Sequence, residues 1–239
     1  MKVAESSPRL KARIVGVCYL ITIGAGALDH LFVGSKLIAP GDATATANNI
    51  LASASLYRLA FALDMIPVYA VVTVLFYQLF KPVNRSLSLL AAFSSLLGGA
   101  IGSGAGVFQL APLVVLGDTA GARGFGMEQR QALAMMFLKL HESGFTISLM
   151  FFGFYCFLLG WLIIASTFMP RVVGVLLAIG GLAYMTYSFA DFVSPRLAAG
   201  FASWPLLLGT FGEVALTLWL LVVGLNASKW REQAAACTA

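Results

Sequence analysis

The chain has 239 residues, of which 60% are hydrophobic and 10% are charged, and its mean hydropathy is +0.91. Soluble domains carry about a quarter charged residues, so this composition excludes an ordinary soluble protein, a disordered chain and a disulfide scaffold. The net charge of +5 is spread over the ends of apolar segments instead of forming one basic stripe, so we expect no nucleic-acid partner. The sequence therefore predicts an all-α, polytopic integral membrane helix bundle.

Six apolar runs are long enough to cross the membrane as helices, which takes roughly 20 residues each. The first span is predicted over 12–33 and follows an N-terminal segment of residues 1–11. Its beginning also has the features of a secretory signal peptide, with Ala25-Gly26-Ala27 as a cleavage site. Cleavage would leave five helices, but the apolar run continues to Val33, which favours a retained helix.

The connection after the first span is long enough to contain a short helix. We expect Asp42 or Thr44 to cap this helix through residues 48–51, on the membrane surface. The other spans are predicted over 59–80, 87–116, 137–166, 172–193 and 205–225. Short turns with Pro82 and Pro170 indicate antiparallel hairpins. The prediction is a single six-helix domain over 12–226 with a tail over 227–239.

The basic residues predict the orientation of this bundle. Nine Lys and Arg residues fall on the side of the N-terminus, the two short turns and the tail, against six on the opposite side. Cytoplasmic segments carry an excess of Lys and Arg, so both termini are predicted to be cytoplasmic. The nine are Lys2, Arg9, Lys11, Arg13, Lys81, Arg85, Arg171, Lys229 and Arg231.

Polar side chains within the spans gather, on this topology, in the outer half of the membrane. They are Asp29, His30, Asp64, Gln109, His141, Glu142, Asp191 and Glu213. Ionisable groups in lipid are costly unless they are paired or hydrated, so we expect these residues to line an outward-facing, ligand-binding pocket. Residues near span ends, such as Asp29, His30 and Asp191, also fit a plain boundary role, and Lys139 has the spacing to pair with Glu142.

The motifs that suggest catalysis are incomplete. His141-Glu142-Ser143-Gly144-Phe145 begins like the zinc-protease motif HExxH but has Phe145 in place of the second histidine. A mixed histidine and carboxylate metal site, or haem between His30 and His141, remains an alternative, while no cofactor is expected on the main interpretation. Gly98, Gly102 and Gly106 form two overlapping GxxxG units, which predict close helix packing.

Several stretches along most of the chain carry a family resemblance. They are Ala12-Arg13-Ile14-Val15-Gly16, Pro40-Gly41-Asp42-Ala43, Tyr57-Arg58-Leu59 with Leu63-Asp64, Lys81-Pro82-Val83-Asn84-Arg85-Ser86-Leu87, Phe151-Phe152-Gly153-Phe154-Tyr155-Cys156, and Gly212-Glu213 with Leu218-Trp219-Leu220. With them the chain resembles a bacterial family of six-helix membrane proteins, the domain of unknown function 4386 family. The resemblance implies six helices and a location in the bacterial cytoplasmic membrane, and it implies no activity.

The family pattern matches this sequence at Asp64, His141 and Glu213. It departs at Tyr187, where the family has an acid, and at His30, where an acidic or other polar residue is commoner. The resemblance therefore favours Asp64, His141 and Glu213 as site residues over His30.

The function expected from these observations is non-catalytic. The pocket would bind a small polar or amphipathic ligand, or a proton, for transport, sensing or assembly with a membrane protein partner, and membrane lipids would surround the bundle. Two alternatives stay open: a membrane-embedded metal- or haem-dependent enzyme that uses His141 and nearby carboxylates, and a structural subunit whose acids pair with a partner's helix.

Overall fold

The computed structural model describes residues 7–64, 68–118, 121–201 and 203–236, without the side chains of His30 and Asp64. Within these ranges the regular secondary structure is entirely helical, as the composition predicts. In the described part of the chain, six segments are long and apolar enough to cross a membrane. The chain is therefore a multi-pass membrane protein, and the predicted helix count is confirmed.

The helices follow one another along the chain with short connections. The membrane-spanning segments begin with α1 (Pro8–Leu28), which continues as a π-helix over Asp29–Leu37. After the short α2 (Ala43–Ala52) come α3 (Ala54–Asp64) and α4 (Val68–Phe80), then α5 (Arg85–Leu116), α6 (Met127–Ala165) and α7 (Arg171–Val193). The last are the short α8 (Pro195–Gly200), the spanning α9 (Trp204–Val222) and α10 (Ala227–Ala236). A 3-10 turn at Ala122–Gly124 lies between α5 and α6 in the chain.

Several predicted boundaries differ from the observed ones: the first and second spans begin at Pro8 and Ala54, and the last ends at Val222. Helix α6 begins at Met127, well before the predicted residue 137. Its first turns carry Glu128 and Arg130, which lower the hydropathy of this stretch, although both residue types favour helices. The predicted tail contains a helix, α10, which is polar and therefore gives no membrane-span pattern.

The short helix predicted in the first long connection is confirmed as α2. The Asp42 carboxylate accepts a hydrogen bond from the Ala45 backbone N–H at 2.8 Å, which satisfies a free donor of the first turn. Thr46, one turn into α2, accepts from the Ala39 N–H at 3.0 Å and thereby fixes the chain entering the helix. Of the two predicted capping residues, Asp42 fills the role.

The chain divides into two compact units. The first unit consists of Met1–Ile21, Pro67–Gly99 and Ile147–Ala239, and the second unit of Thr22–Ile66 and Ala100–Thr146. The predicted site residues Glu213 and Asp191 belong to the first unit, and the other six belong to the second.

Glycines allow helix backbones of the first unit to approach closely. A Cβ atom at Gly160 of α6 would lie 2.6 Å from the Gly174 carbonyl oxygen of α7, and one at Gly181 would lie 2.5 Å from the Gly153 carbonyl oxygen. Gly98 of α5, one of the predicted packing glycines, faces α6, and its carbonyl oxygen accepts a hydrogen bond from Ser148 at 2.7 Å. Small residues at such crossings are typical of helix association in lipid.

Four hydrogen-bonded links hold helix ends together at one end of the first unit. Arg9 Nε donates to the Leu225 carbonyl, Trp230 Nε1 donates to the Leu79 carbonyl, and the Asn226 N–H donates to the Phe168 carbonyl, at 3.3, 2.8 and 3.1 Å. Gln233 Oε1 accepts from the N–H and hydroxyl of Thr167 at 3.1 and 3.0 Å.

We call this region the basic end, because the helix ends and turns joined there carry Arg9, Lys11, Arg13, Lys81, Arg85, Arg171, Lys229 and Arg231. The start of α1, the α6–α7 turn and α10 thus lie on the same side, as the sequence predicts. That this side is cytoplasmic stays a prediction.

Candidate functional site

A buried carboxyl group in the first unit is held by two phenol hydroxyls from other helices. Tyr19 of α1 donates to Glu213 Oε2 at 3.1 Å, and Tyr184 of α7 donates to Oε1 at 2.6 Å. Glu213 is only 8% exposed, and both tyrosines are buried. We refer to Glu213, Tyr19 and Tyr184 as the Glu213 cluster; it joins three membrane-spanning helices through one side chain.

Local sequence explains how each member reaches the cluster. Glu213 and Thr217 lie one turn apart on the buried face of α9, and the Thr217 hydroxyl donates to the Glu213 carbonyl at 2.8 Å. The Tyr184 ring fits because position 209 is glycine, where a Cβ atom would collide with the ring carbon Cζ. Tyr19 packs edge-on against Phe76 of α4, with ring centroids 6.1 Å apart, which fixes the ring that carries its hydroxyl.

Glu213 lies at the middle of its span. It is nine residues from both Trp204 and Val222, about 14 Å from either end of α9. Within the described ranges, the ion pairs are those of Arg123 with Asp118 and Lys139 with Glu142, so Glu213 has no basic side chain within ion-pair distance there. An ionised carboxylate at this depth costs several kcal/mol, so the cluster has a chemical reason to take up a proton or a cation.

Other ionisable and polar groups lie around the cluster. Cys156 and Tyr155 of α6 belong to the same buried core as Tyr19. The buried hydroxyls of Tyr155 and of Ser188, one turn after Tyr184, have no hydrogen-bond partner within the ranges that the structure covers. Asp191, a predicted site residue, is half-buried and lies seven residues beyond Tyr184, about 10 Å along α7. It has no hydrogen bond to the Glu213 cluster among the described contacts.

The second unit contains a smaller polar group around Gln109, which is buried on α5. Gln109 donates through Nε2 to Asp29 Oδ1 at 2.6 Å, and its backbone carbonyl accepts from the Tyr57 hydroxyl. Asp29 is half-buried and is the first residue of the π-helix, a conformation frequent at functional sites. The structure thus brings together two of the predicted site residues, Asp29 and Gln109.

His141 and Glu142 differ in their surroundings. His141 is half-buried, and its Nδ1 lies 3.1 Å from the Ala105 carbonyl oxygen, within hydrogen-bond distance. Glu142 is exposed and forms an ion pair with Lys139 at 2.7 Å, the pairing that their spacing indicates. Such a surface pair contributes little to stability.

The side chains of the predicted site residues His30 and Asp64 lie outside the described part of the structure. Among the described residues no group of three or more His, Cys, Asp or Glu side chains is arranged to hold a metal ion.

Sequence reasoning missed the hydroxyl partners. The spacing of Tyr19, Thr22 and Asp29, and of Tyr184, Ser188 and Asp191, places both tyrosines on the polar faces of their helices. Tyrosine is not costly in lipid, so its depth in a span does not mark it as a site residue. Arg130 was also missed. It donates from Nε to the Val115 carbonyl and from Nη2 to the Leu116 carbonyl, each at 2.6 Å, and also contacts the Gly117 carbonyl.

Comparison with known proteins gives a family. No curated protein and no solved structure matches the chain. The family model described as "Domain of unknown function (DUF4386)" matches residues 14–224, which cover all six membrane spans in whole or in large part. This confirms the resemblance seen in the sequence, and the chain belongs to the DUF4386 family.

Proposed function

We propose that this chain is a multi-pass protein of the bacterial cytoplasmic membrane in which Glu213 binds and releases a proton during transport or sensing of a small polar or amphipathic ligand. The observation that carries the proposal is the buried carboxyl group of Glu213 at mid-span, hydrogen-bonded by Tyr19 and Tyr184 and without a nearby basic side chain in the described ranges.

The charge of the Glu213 carboxylate is the reason to expect that it binds a proton. A neutral carboxylic acid is tolerated at the middle of a span, whereas its ionised form requires a compensating charge. The phenol groups of Tyr19 and Tyr184 are donors without a charge, so they orient both carboxyl oxygens but do not neutralise them. Uptake of a proton, or arrival of a cationic ligand, would neutralise the charge.

Proton binding at Glu213 can be coupled to a larger motion because the cluster joins three helices. Glu213, Tyr19 and Tyr184 come from α9, α1 and α7, and the α7–α9 contact is built on Gly180, Gly209 and Gly212. Loss or gain of the carboxyl proton changes which hydrogen bonds this contact can make. A change in the protonation of Glu213 therefore alters hydrogen bonds between three spans at once, as a transporter or sensor requires.

The cytoplasmic position of the basic end also belongs to the proposal. Eight Lys and Arg residues lie there, and cytoplasmic segments carry such an excess. An outward-facing opening of the polar pocket stays a prediction from the sequence.

Infrared difference spectroscopy of the purified protein in liposomes tests the proposal. We expect the wild type to show the carbonyl stretch of a protonated carboxylic acid that changes with pH, and Glu213→Gln to lack that band. The matched control is Glu142→Gln, because Glu142 is exposed and paired with Lys139. Spectra of wild type and Glu213→Gln that agree over the whole pH range of the folded protein would contradict the proposal.

A further inference from the structure

A groove of about 370 Å³ lies at the basic end of the first unit. One wall is the α6–α7 turn, which contributes Phe168 and Met169, and the other is the end of α9, which contributes Trp219 and Val223. Lys229, in the first turn of α10, lines the groove on its polar side. The groove therefore combines apolar walls with a cation.

The groove lies where membrane-spanning helices end. The spanning segments closest to it are α6, which ends at Ala165, α7, which starts at Arg171, and α9, which ends at Val222. Side chains around it such as Val172 and Val222 are exposed, as expected for residues that face acyl chains. A Trp residue at this level is typical of the boundary between hydrocarbon and headgroups. The apolar walls thus adjoin the hydrocarbon, and Lys229 adjoins the headgroup layer.

Lys229 is the charged side chain in the lining of the groove. Arg171 directly follows the lining residue Pro170, whereas Arg231 lies two residues after Lys229 and therefore on the opposite face of α10. In the α6–α7 turn and in the described chain from 223 to 236, the acidic residue is Glu232. Lys229 in the lining, with Arg171 beside it in the chain, favours an anionic group at the polar side of the groove.

We propose that this groove is a specific binding site for one anionic phospholipid. An acyl chain lies against Met169, Trp219 and Val223, and the phosphate group lies at Lys229. The amphipathic layout selects a lipid over a free anion, because a free phosphate would leave the apolar walls uncovered. The site is separate from the Glu213 cluster and does not rest on the proposed proton binding.

Native mass spectrometry of the full chain in detergent tests this site, with phosphatidylglycerol and phosphatidylcholine of identical acyl chains as probes. We expect one phosphatidylglycerol molecule to bind more tightly than phosphatidylcholine. Lys229→Gln should weaken phosphatidylglycerol binding about fivefold, because a basic residue near a lipid surface contributes about 1 kcal/mol. The matched control is Arg196→Gln, since Arg196 is exposed on α8, outside the groove, and its loss should leave the affinity unchanged.

A second variant tests the apolar part of the groove. Val223→Trp fills the space beside Trp219 and should lower the binding of both lipids, while Arg196→Gln lowers neither. The proposal is overturned if the wild type binds both lipids equally, or if Lys229→Gln and Arg196→Gln weaken phosphatidylglycerol binding to the same extent. It is also overturned if inorganic phosphate displaces the bound lipid at a concentration similar to that of phosphatidylglycerol, since the site would then recognise phosphate alone.

Discussion

Gly209 of α9 lies directly against the ring of Tyr184 of α7, so closely that a Cβ atom at position 209 would collide with Tyr184 Cζ and Cε1. The absence of a side chain at Gly209 is what allows the Tyr184 hydroxyl to reach Glu213. A side chain added at Gly209 would therefore disturb the Glu213 carboxyl group by moving the Tyr184 ring.

Substitution Gly209→Ala is expected to displace the Tyr184 ring and to destabilise the protein. Overpacking of this kind typically costs about 1–3 kcal/mol, which a lower midpoint of thermal unfolding in detergent would report. The control is Gly104→Ala on α5, where a Cβ atom meets nothing within 4 Å. Equal midpoints for the two variants would contradict the tight contact at Gly209.

Removal of the Tyr184 hydroxyl should destabilise the first unit, whereas removal of the Tyr155 hydroxyl should not. Tyr184→Phe leaves Glu213 Oε1 without its 2.6 Å donor, and the loss of a partner from a buried acceptor costs about 1–3 kcal/mol. Tyr155→Phe removes a buried hydroxyl that lacks a partner in the described structure. Unfolding of both variants under the same conditions checks this, and a larger loss for Tyr155→Phe would refute it.

The crossing of α6 and α7 should be sensitive to a single methyl group. Gly160→Ala brings Cβ to 2.6 Å from the Gly174 carbonyl oxygen and 2.7 Å from the Ala178 nitrogen, and backbone atoms cannot move aside as a flexible side chain can. We expect a loss of about 1–3 kcal/mol or failure to fold. Gly99→Ala, with its nearest contact at 3.5 Å, provides the control, and fluorescence-detected size-exclusion profiles of both variants compare their folding. A monodisperse, fully stable Gly160→Ala protein would argue against this crossing.

Arg130 of α6 is expected to stabilise the end of α5. Its guanidinium donates to the carbonyls of Val115 and Leu116, which have no partner within the helix. Arg130→Gln should therefore increase amide hydrogen exchange in the last turn of α5 and cost about 1.5–3 kcal/mol, the usual range for hydrogen bonds from charged groups.

The control for this prediction is Arg123→Gln. Arg123 forms an exposed ion pair with Asp118 at 3.0 Å, and such pairs contribute about 0–1 kcal/mol. If the two substitutions have the same effect on exchange at the end of α5, the capping role of Arg130 is wrong.

The helices of this fold could be predicted because apolar composition and length decide membrane spans. The predicted start of the fifth span at residue 172 lies beside the observed Arg171, since Pro170 marks the boundary plainly. The start of α6 at Met127 could not be predicted from hydropathy, because its polar first turns extend the helix beyond the apolar run. The Asp42 cap was predictable because it depends on local sequence alone.

The candidate site was only partly predictable. The burial of Glu213 and the contact between Asp29 and Gln109 agree with their positions within the spans. The hydroxyl donors Tyr19 and Tyr184 could not be assigned to Glu213, because the pairing of helices far apart in the chain leaves no local pattern in one sequence. The same holds for Arg130, whose carbonyl partners belong to a different helix.

The hydrogen bond between Tyr19 and Glu213 joins residues that are 194 positions apart in the chain, in the first and the last membrane-spanning helix. Contacts of such long sequence separation form late, because the intervening loop must close first. During biosynthesis Tyr19 enters the bilayer well before Glu213, so this pair can form only after lateral assembly of helices that are already inserted. Completion of the native bundle is therefore tied to the arrival of its sixth span.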